Sequence, residues 1–200
     1  MLLPVEEKTQ GKDQADILDF LSGRREALDS LVLRHQDRIF NLCCRLLGDS
    51  SDAEECCQEI FIKVFRSLKS FRLESSFTTW LYSIAVNTCK NRRSSAESRF
   101  WRNIFRLGPR SEDDEVCVLD VEIEDHAPSV LMQMAENERN SLLQEAIDSL
   151  PHDQRTVIVL RHVEELSYEE ICSITGYNLG TLKSKLARAR MLLQKKLRGA

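Results

Sequence analysis

The residues best placed to do chemistry lie between Ser167 and Arg190, and their chemistry is the binding of a polyanion. The stretch reads as a short helix, a turn at Gly176 and a long basic helix, the order of a helix-turn-helix. Such a unit offers one helix to the major groove. Its early side chains reach base edges while flanking cations meet phosphates. On the second helix Leu182, Leu186, Ala189 and Leu193 recur at helical spacing and predict its buried side. Thr181, Lys183, Ser184, Lys185 and Arg188 remain for the outer surface. Gly180, near the helix start, lets backbone approach a phosphate, an anion the helix N-terminus favours. A basic helical hairpin used only for packing would carry the same charge, so the rest of the chain has to decide.

Charge is segregated along the 200 residues. Ser111 to Glu138 holds ten acidic residues and no Lys or Arg. Removing those ten from 32 acids leaves 22 against 28 bases, a net of +6 elsewhere. Gly176 to Ala200 has seven basic residues and no acid, and Lys90 to Arg110 has seven against Glu97 alone. Two basic blocks around an acidic one suggest two nucleic-acid surfaces joined by an acidic linker, whose charges would restrain DNA binding by the free protein. Two solvated helix faces are the plainer alternative.

No enzyme chemistry is expected. There is no HExxH, nucleophile elbow, P-loop or credible pair of catalytic carboxylates, so no catalytic residue, cofactor or small-molecule substrate is implied. With 7 Gly and 4 Pro, Gly-rich phosphate loops and turn-dense β architectures are nearly excluded. The seven Cys include the pairs Cys43-Cys44 and Cys56-Cys57, but neither CxxC nor HxxxC spacing. Cys43 and Cys56 or Cys57 fall on apolar stripes and read as inert buried thiols. His35, His126, His152 and His162 are scattered, so no metal site is expected. No apolar run reaches the ~18–20 residues of a membrane span. Met1 to Glu7 lacks the pattern of a secretion signal. A cytoplasmic location follows as the expectation.

These surfaces need helices to position them, and the expected fold is all-α with two small domains. Residues up to about Lys12 are polar and expected to fray. Leu28, Leu31, Val32, Ile39, Leu42, Cys43 and Leu46 form a helical stripe ending near Gly48. Ser51-Asp52-Ala53-Glu54 reads as a capping box that opens a second helix, with Ala53, Cys56, Cys57, Ile60, Phe61, Val64, Phe65 and Leu68 inward. A polar stretch from Arg72 to Ser76 leads into a third, with Trp80, Leu81, Ile84, Ala85 and Thr88 as core and Trp80 mainly buried. This first domain spans about 14–95. Residues 96–130 contain Gly108-Pro109, the acidic run and Pro128 and read as linker, with a strand-like alternation over Val116–Ile123.

The second domain spans 131–198. One helix carries Leu142, Leu143, Ala146, Ile147 and Leu150. Pro151 suits the first turn of the next, with Val157, Ile158, Leu160 and Val163 apolar. Ser167-Tyr168-Glu169-Glu170 reads as a second capping box, and a last helix runs from about Asn178 to Leu197.

Leu166-Ser167-Tyr168-Glu169-Glu170-Ile171 with Leu179-Gly180-Thr181-Leu182-Lys183-Ser184-Lys185-Leu186-Ala187-Arg188-Ala189-Arg190 resembles the fourth conserved region of bacterial sigma factors. Asp52-Ala53-Glu54-Glu55-Cys56-Cys57-Gln58-Glu59-Ile60-Phe61 is similar to their region 2.2. Phe77-Thr78-Thr79-Trp80-Leu81-Tyr82-Ser83-Ile84-Ala85-Val86-Asn87-Thr88 is similar to regions 2.3 and 2.4. Order, spacing and length match the extracytoplasmic-function subfamily, which has only sigma domains two and four. The resemblance covers roughly 14–95 and 134–198.

It implies a promoter-specificity subunit that binds core RNA polymerase at the β′ clamp helices and the β flap, recognises minus-10 and minus-35 promoter DNA, and answers to an anti-sigma factor. Asp52, Glu55, Gln58 and Glu59 match the polymerase-binding surface; a helix N-terminus rich in acids also suits the dipole. Thr79, Ser83, Asn87, Lys90 and Asn91 form a polar stripe for the melted minus-10 element, with Arg72, Ser75, Ser76 and Phe77 in the loop lining its base pocket. Gly180, Thr181, Lys183, Ser184, Lys185 and Arg188 face the minus-35 element. Ala187 stands where a larger side chain is common, and Asn178-Leu179 replaces the usual Pro-Val. If helical, Arg99 to Arg106 groups Phe100, Trp101, Ile104 and Phe105 on one side, fit for docking, an RNA channel or a membrane surface. The runner-up is a dimeric helix-turn-helix regulator, which would need a ligand or dimer domain in its first half.

Overall fold

The computed structural model describes residues 5–72, 74–104 and 142–198. Over these it forms eight α-helices: α1 (Val5–Leu21), α2 (Glu26–Leu47), α3 (Ser50–Ser67), α4 (Phe77–Ile104), α5 (142–148), α6 (His152–His162), α7 (Tyr168–Thr175) and α8 (Leu179–Leu197). A single 3-10 turn, Leu68–Ser70, follows α3, and no strand occurs among the described residues.

Local chemistry sets most of the boundaries. Gly48 ends α2 in the left-handed region, at φ 81°, and its N–H bonds the Cys44 carbonyl. A side chain there would be strained. Only Asp49 separates it from α3, and Asp49 is the cap, its carboxylate accepting from Asp52 N at 2.6 Å. The expected capping box at Ser51–Glu54 is therefore corrected: with so short a connection Ser51 is already inside the helix. Pro151 likewise sits at the cap of α6 and not in its first turn. The capping box at Ser167 and Glu170 forms as expected, with both reciprocal bonds present.

Two boundaries differ more. Helix α1 is present from Val5, where fraying was expected. Helix α4 continues to Ile104, so the first residues of the expected linker are helical. Gly108-Pro109, the acidic run, Val116–Ile123, Phe105 and the second domain before residue 142 lie outside the described residues, as do the side chains of Phe100, Trp101 and Ile104.

The first half packs α1 to α4 around Ile17, Leu31, Ile39, Leu42, Leu46, Ile60, Leu68 and Leu81, all fully buried. Asp13, buried on α1, accepts from His35 and Arg34 of α2, which pins the two helices. The second half packs α5 to α8 around Leu150, Val157, Leu160, Ile171, Leu182 and Leu186. The expected core positions Leu142, Leu143 and Val163 are exposed, as is Phe65 in the first half.

The two halves share one continuous core, with α6 against α2 and α7 against α4. Arg155 of α6 helps to join them. Its guanidinium donates to the Leu46 carbonyl at 3.1 Å, to the Asp148 carbonyl, and pairs with the Asp148 carboxylate at 3.1 Å. The Leu46 carbonyl belongs to the last turn of α2, whose acceptors have no partner within the helix. A cation there also complements the helix dipole.

His152, at the start of α6, leaves both ring nitrogens buried without a partner. Burial, with Arg93 of α4 adding repulsion, lowers its pKa from 6.5 to about 4. The folded state thus refuses a proton that the unfolded chain accepts. This contribution to stability is complete above pH 6.5 and is lost as pH falls toward 4. His152→Gln should melt with a weaker dependence on pH than the parent between about pH 7 and about pH 5, read by circular dichroism. Parallel curves would show that another group controls acid stability.

Candidate nucleic-acid interface

The helix-turn-helix is built by two local devices. Gly176 closes α7 at φ 72°, its N–H bonding the Cys172 carbonyl. Asn178 then caps α8, its side-chain oxygen accepting from Thr181 N at 2.8 Å. A Cβ on Gly180 would meet Asn178 Oδ1 at 3.5 Å, an ordinary contact, so folding alone does not require glycine there.

Leu182, Leu186 and Ala189 are buried, as the spacing predicts. Lys183, Ser184, Ala187 and Arg188 are exposed and Thr181 half-buried. Lys183 and Arg188 have no ion pair among the described residues. Lys185 differs: it bonds Asp153 of α6 at 2.7 Å and lies 4.9 Å from the Tyr177 ring centre. Lys185 holds Asp153 below the usual carboxylate range. Burial, with Asp153 alongside, pushes the Tyr177 hydroxyl up to about 12. Lys185 therefore braces α8 on α6, and the free positive face belongs to Lys183 and Arg188. Further along, Arg190 lies 3.2 Å from His162, and Lys196 bonds the Glu145 carbonyl at 3.3 Å.

The polar stripe of α4 is only partly open. Asn87, Lys90 and Asn91 are exposed, as are Arg72 and Ser75 before the helix. Ser76 caps α4, accepting from Thr79 N at 3.0 Å and meeting the Thr79 hydroxyl at 2.8 Å. Ser83 donates to the Trp80 carbonyl at 2.7 Å and is half-buried. Thr79 is buried. Phe77 is also buried, among Phe71, Trp80 and His35, with ring centres 5.3–6.1 Å away. Phe77 is the first helical residue and turns inward, which corrects its reading as a loop residue lining a base pocket. Trp80 is partly buried against the same cluster.

Asp52, Glu55, Gln58 and Glu59 follow one another along α3, with Glu55, Gln58 and Glu59 exposed. Arg92 of α4, missed in the sequence, bridges Asp52 at 2.8 Å and Glu55 at 2.9 Å. Glu59 pairs with Lys63 one turn away at 2.7 Å. The acids are presented on a framed surface that Arg92 keeps in register with α4.

The junction between the halves holds a further residue that sequence reasoning missed. Glu164, in the loop after α6, is buried. It accepts from the Tyr82 hydroxyl at 2.5 Å and from Arg38 Nε at 3.0 Å. Arg38 also lies over the Tyr82 ring, 5.4 Å from its centre. Burial first, then Glu164, raises the Tyr82 hydroxyl well above its usual range. Nothing local distinguishes Glu164 from its neighbour Glu165, so spacing offers no signal. Elsewhere between the halves a cleft opens, lined by Asp52, Arg92, Arg93, Asp148 and Arg155.

Family models described as Sigma-70 region 2 and Sigma-70, region 4 match residues 31–99 and 140–193. The chain belongs to the sigma-70 family. It is 36% identical over 195 residues to the RNA polymerase sigma-H factor of Pseudomonas aeruginosa, covering 94% of this chain and 95% of that one. It is also 36% identical over 187 residues to the ECF RNA polymerase sigma-E factor of Haemophilus influenzae, covering 92% and 95%. The fold is shared with the sigma factor RpoE of Bartonella quintana, solved in complex with the anti-sigma factor NepR, at TM-score 0.62, 22% identity and 85% and 96% coverage. It is shared too with CnrH, solved with the cytosolic domain of CnrY, at TM-score 0.62, 19% identity and 94% and 98% coverage.

The protein is thus a sigma factor of the extracytoplasmic-function group, and a stand-alone dimeric regulator is not the reading these likenesses favour. No described helix is long and apolar enough to cross a membrane.

Variants at the exposed Arg188 and Lys195 would distinguish a base contact from a phosphate contact. Arg188→Ala should cost ~1–3 kcal/mol in binding and relax preference at one position of the minus-35 element. Lys195→Ala should weaken every sequence alike and lower the salt slope by about 1. Binding to single-base variants across a salt series checks both. Uniform loss for Arg188→Ala would make it a phosphate contact.

Proposed function

We propose that this sigma factor docks on core RNA polymerase through the α3 acids Asp52, Glu55, Gln58 and Glu59. The exposed Asn87, Lys90 and Asn91, with Arg72 and Ser75, hold the melted minus-10 strand. Helix α8 reads the minus-35 element, with Lys183, Ser184 and Arg188 outermost. The protein supplies no catalysis of its own; polymerase does. The functional units are 14–95 and 131–198. The complexes named for RpoE with NepR and CnrH with CnrY support an anti-sigma factor as a further partner. The single observation that carries the reading is the cation-bearing outer face of α8, opposite a side anchored by Leu182, Leu186 and Ala189.

Geometry adds a condition. The minus-10 and minus-35 elements lie about 25 base pairs apart, or ~85 Å at 3.4 Å per pair. Two halves joined by a hydrogen bond from Tyr82 to Glu164 cannot reach both. The 37 residues from 105 to 141 could span up to ~120 Å fully extended. The closed arrangement is therefore a resting form that must open for promoter binding. Asp52 and Arg92 also line the cleft between the halves, so closure crowds one end of the polymerase surface.

Two variants test this in the full-length protein. Replacing Asp52, Glu55 and Glu59 together with Lys should abolish capture by core polymerase while helicity by circular dichroism is unchanged. Retained capture would place the contact elsewhere. Glu164→Ala leaves the Tyr82 hydroxyl without its acceptor, at ~1–3 kcal/mol. It should lengthen the distance between dyes on the two halves and strengthen core binding. Unchanged distance and affinity would remove the closed form from the mechanism.

A further inference from the structure

Beneath the polymerase-facing surface, three helices each deliver one cysteine to a common point. Cys43 comes from α2, Cys56 from α3 and Cys89 from α4, and all three are fully buried. Cys56 Sγ lies 3.6 Å from Cys89 Sγ, and Cys89 Sγ 3.7 Å from Cys43 Sγ. All three sulfurs fall within 4.8 Å of one another. Their neighbours in sequence take no part: Cys57 Sγ points to the Gln36 carbonyl, at 3.9 Å, and Cys44 is outside the group. The convergence is a property of the fold, since the three positions are spaced by 13 and 33 residues.

We propose that Cys43, Cys56 and Cys89 bind one copper(I) ion in trigonal sulfur coordination. A metal–thiolate bond of ~2.3 Å places three sulfurs in a plane about 4 Å apart, so the sulfur triangle closes around an ion with little movement. Donor softness narrows the choice to copper(I), zinc or an iron–sulfur cluster. Zinc is held by four ligands in its structural sites, and the common clusters take four cysteines. Among the described residues no fourth His, Cys, Asp or Glu joins these three. A buried site without a fourth donor suits copper(I).

Binding is a simple exchange. Three S–H bonds release three protons to solvent and three Cu–S bonds form, leaving a centre of charge −2 with no change in oxidation state. Arg92, one turn beyond Cys89, supplies a positive field at both Cys56 and Cys89. The same guanidinium frames Asp52 and Glu55, so the ion would tie α2, α3 and α4 directly under the polymerase surface. The competing explanation is that the thiols pack as small apolar groups, which their contact distances also allow.

The test uses the full-length protein, reduced and anaerobic, both as folded and after refolding with copper(I). Competition against a copper(I) chelator should give one ion per chain, with proton release and a higher melting temperature. X-ray absorption should show three sulfurs at ~2.3 Å. Cys43→Ala and Cys89→Ser should each abolish that signal, while the paired change Cys57→Ser with Cys172→Ser should leave it intact. Cys89→Ser preserves size and serves where Cys43→Ala loses helicity. Copper left wholly on the chelator in both preparations, a sulfur shell that survives loss of Cys43 and Cys89, or tighter binding of zinc than of copper(I) would overturn the assignment.

Discussion

The closed structure turns on a carboxylate taken out of water. Burying Glu164 is unfavourable unless its charge is met by hydrogen bonds. Tyr82 and Arg38 meet it, and both come from the other half of the chain. The loop after α6 can therefore reach its observed place only when α2 and α4 are already packed together. Arg155 imposes the matching condition from α6, where burial makes its charge costly and the carbonyls of Leu46 and Asp148 compensate it. One acid and one base thus fix how the helix-turn-helix unit lies on the first bundle, and the apolar cluster fills in around them.

How much was visible in the sequence depends on how far each interaction reaches. The capping box at Ser167 and the glycine turns at Gly48 and Gly176 use residues within one or two helical turns, and each is present as read. The inward side of α8 was equally plain, because Leu182, Leu186 and Ala189 repeat with the helix. Asp49 was missed although local, since Ser51 offered a competing cap and nothing in composition says which residue leaves the helix first. Phe77 was misplaced for a related reason. A boundary one residue earlier turns it from loop to core, against Phe71 and against His35, which is distant in sequence.

The site residues divide in the same way. Lys183 and Arg188 could be assigned outward from periodicity alone. Lys185 could not be told from them, because its partner Asp153 sits 32 residues away. Arg92 with Asp52 and Glu55, and Cys89 with Cys43 and Cys56, are further cases in which side chains of ordinary spacing acquire a role only through the packing of α3 and α4. Glu164 is the extreme one: two adjacent acids in a loop look alike, yet one is buried at the junction.

A contact of this kind suits the opening proposed above. A large apolar interface would resist separation in proportion to its area. The polar contact behaves differently, because Glu164, buried beside an exposed Arg38, regains water when the halves part, and this offsets much of the attraction lost. Freed from the junction, Glu164 returns to solvent, where Arg38 already lies, and Tyr82 gains water in place of its acceptor. The polar lock therefore specifies one closed geometry while adding little to its depth, which the apolar core shared by the two halves supplies. A partner that prefers the separated form must offset that shared core through its difference in affinity for the two forms, since a population shift is limited by that difference and not by total affinity. In the function proposed above, polymerase and promoter contacts spread over α3, α4 and α8 would provide it, with the shared core setting how much is needed and Glu164 setting the geometry to which the halves return.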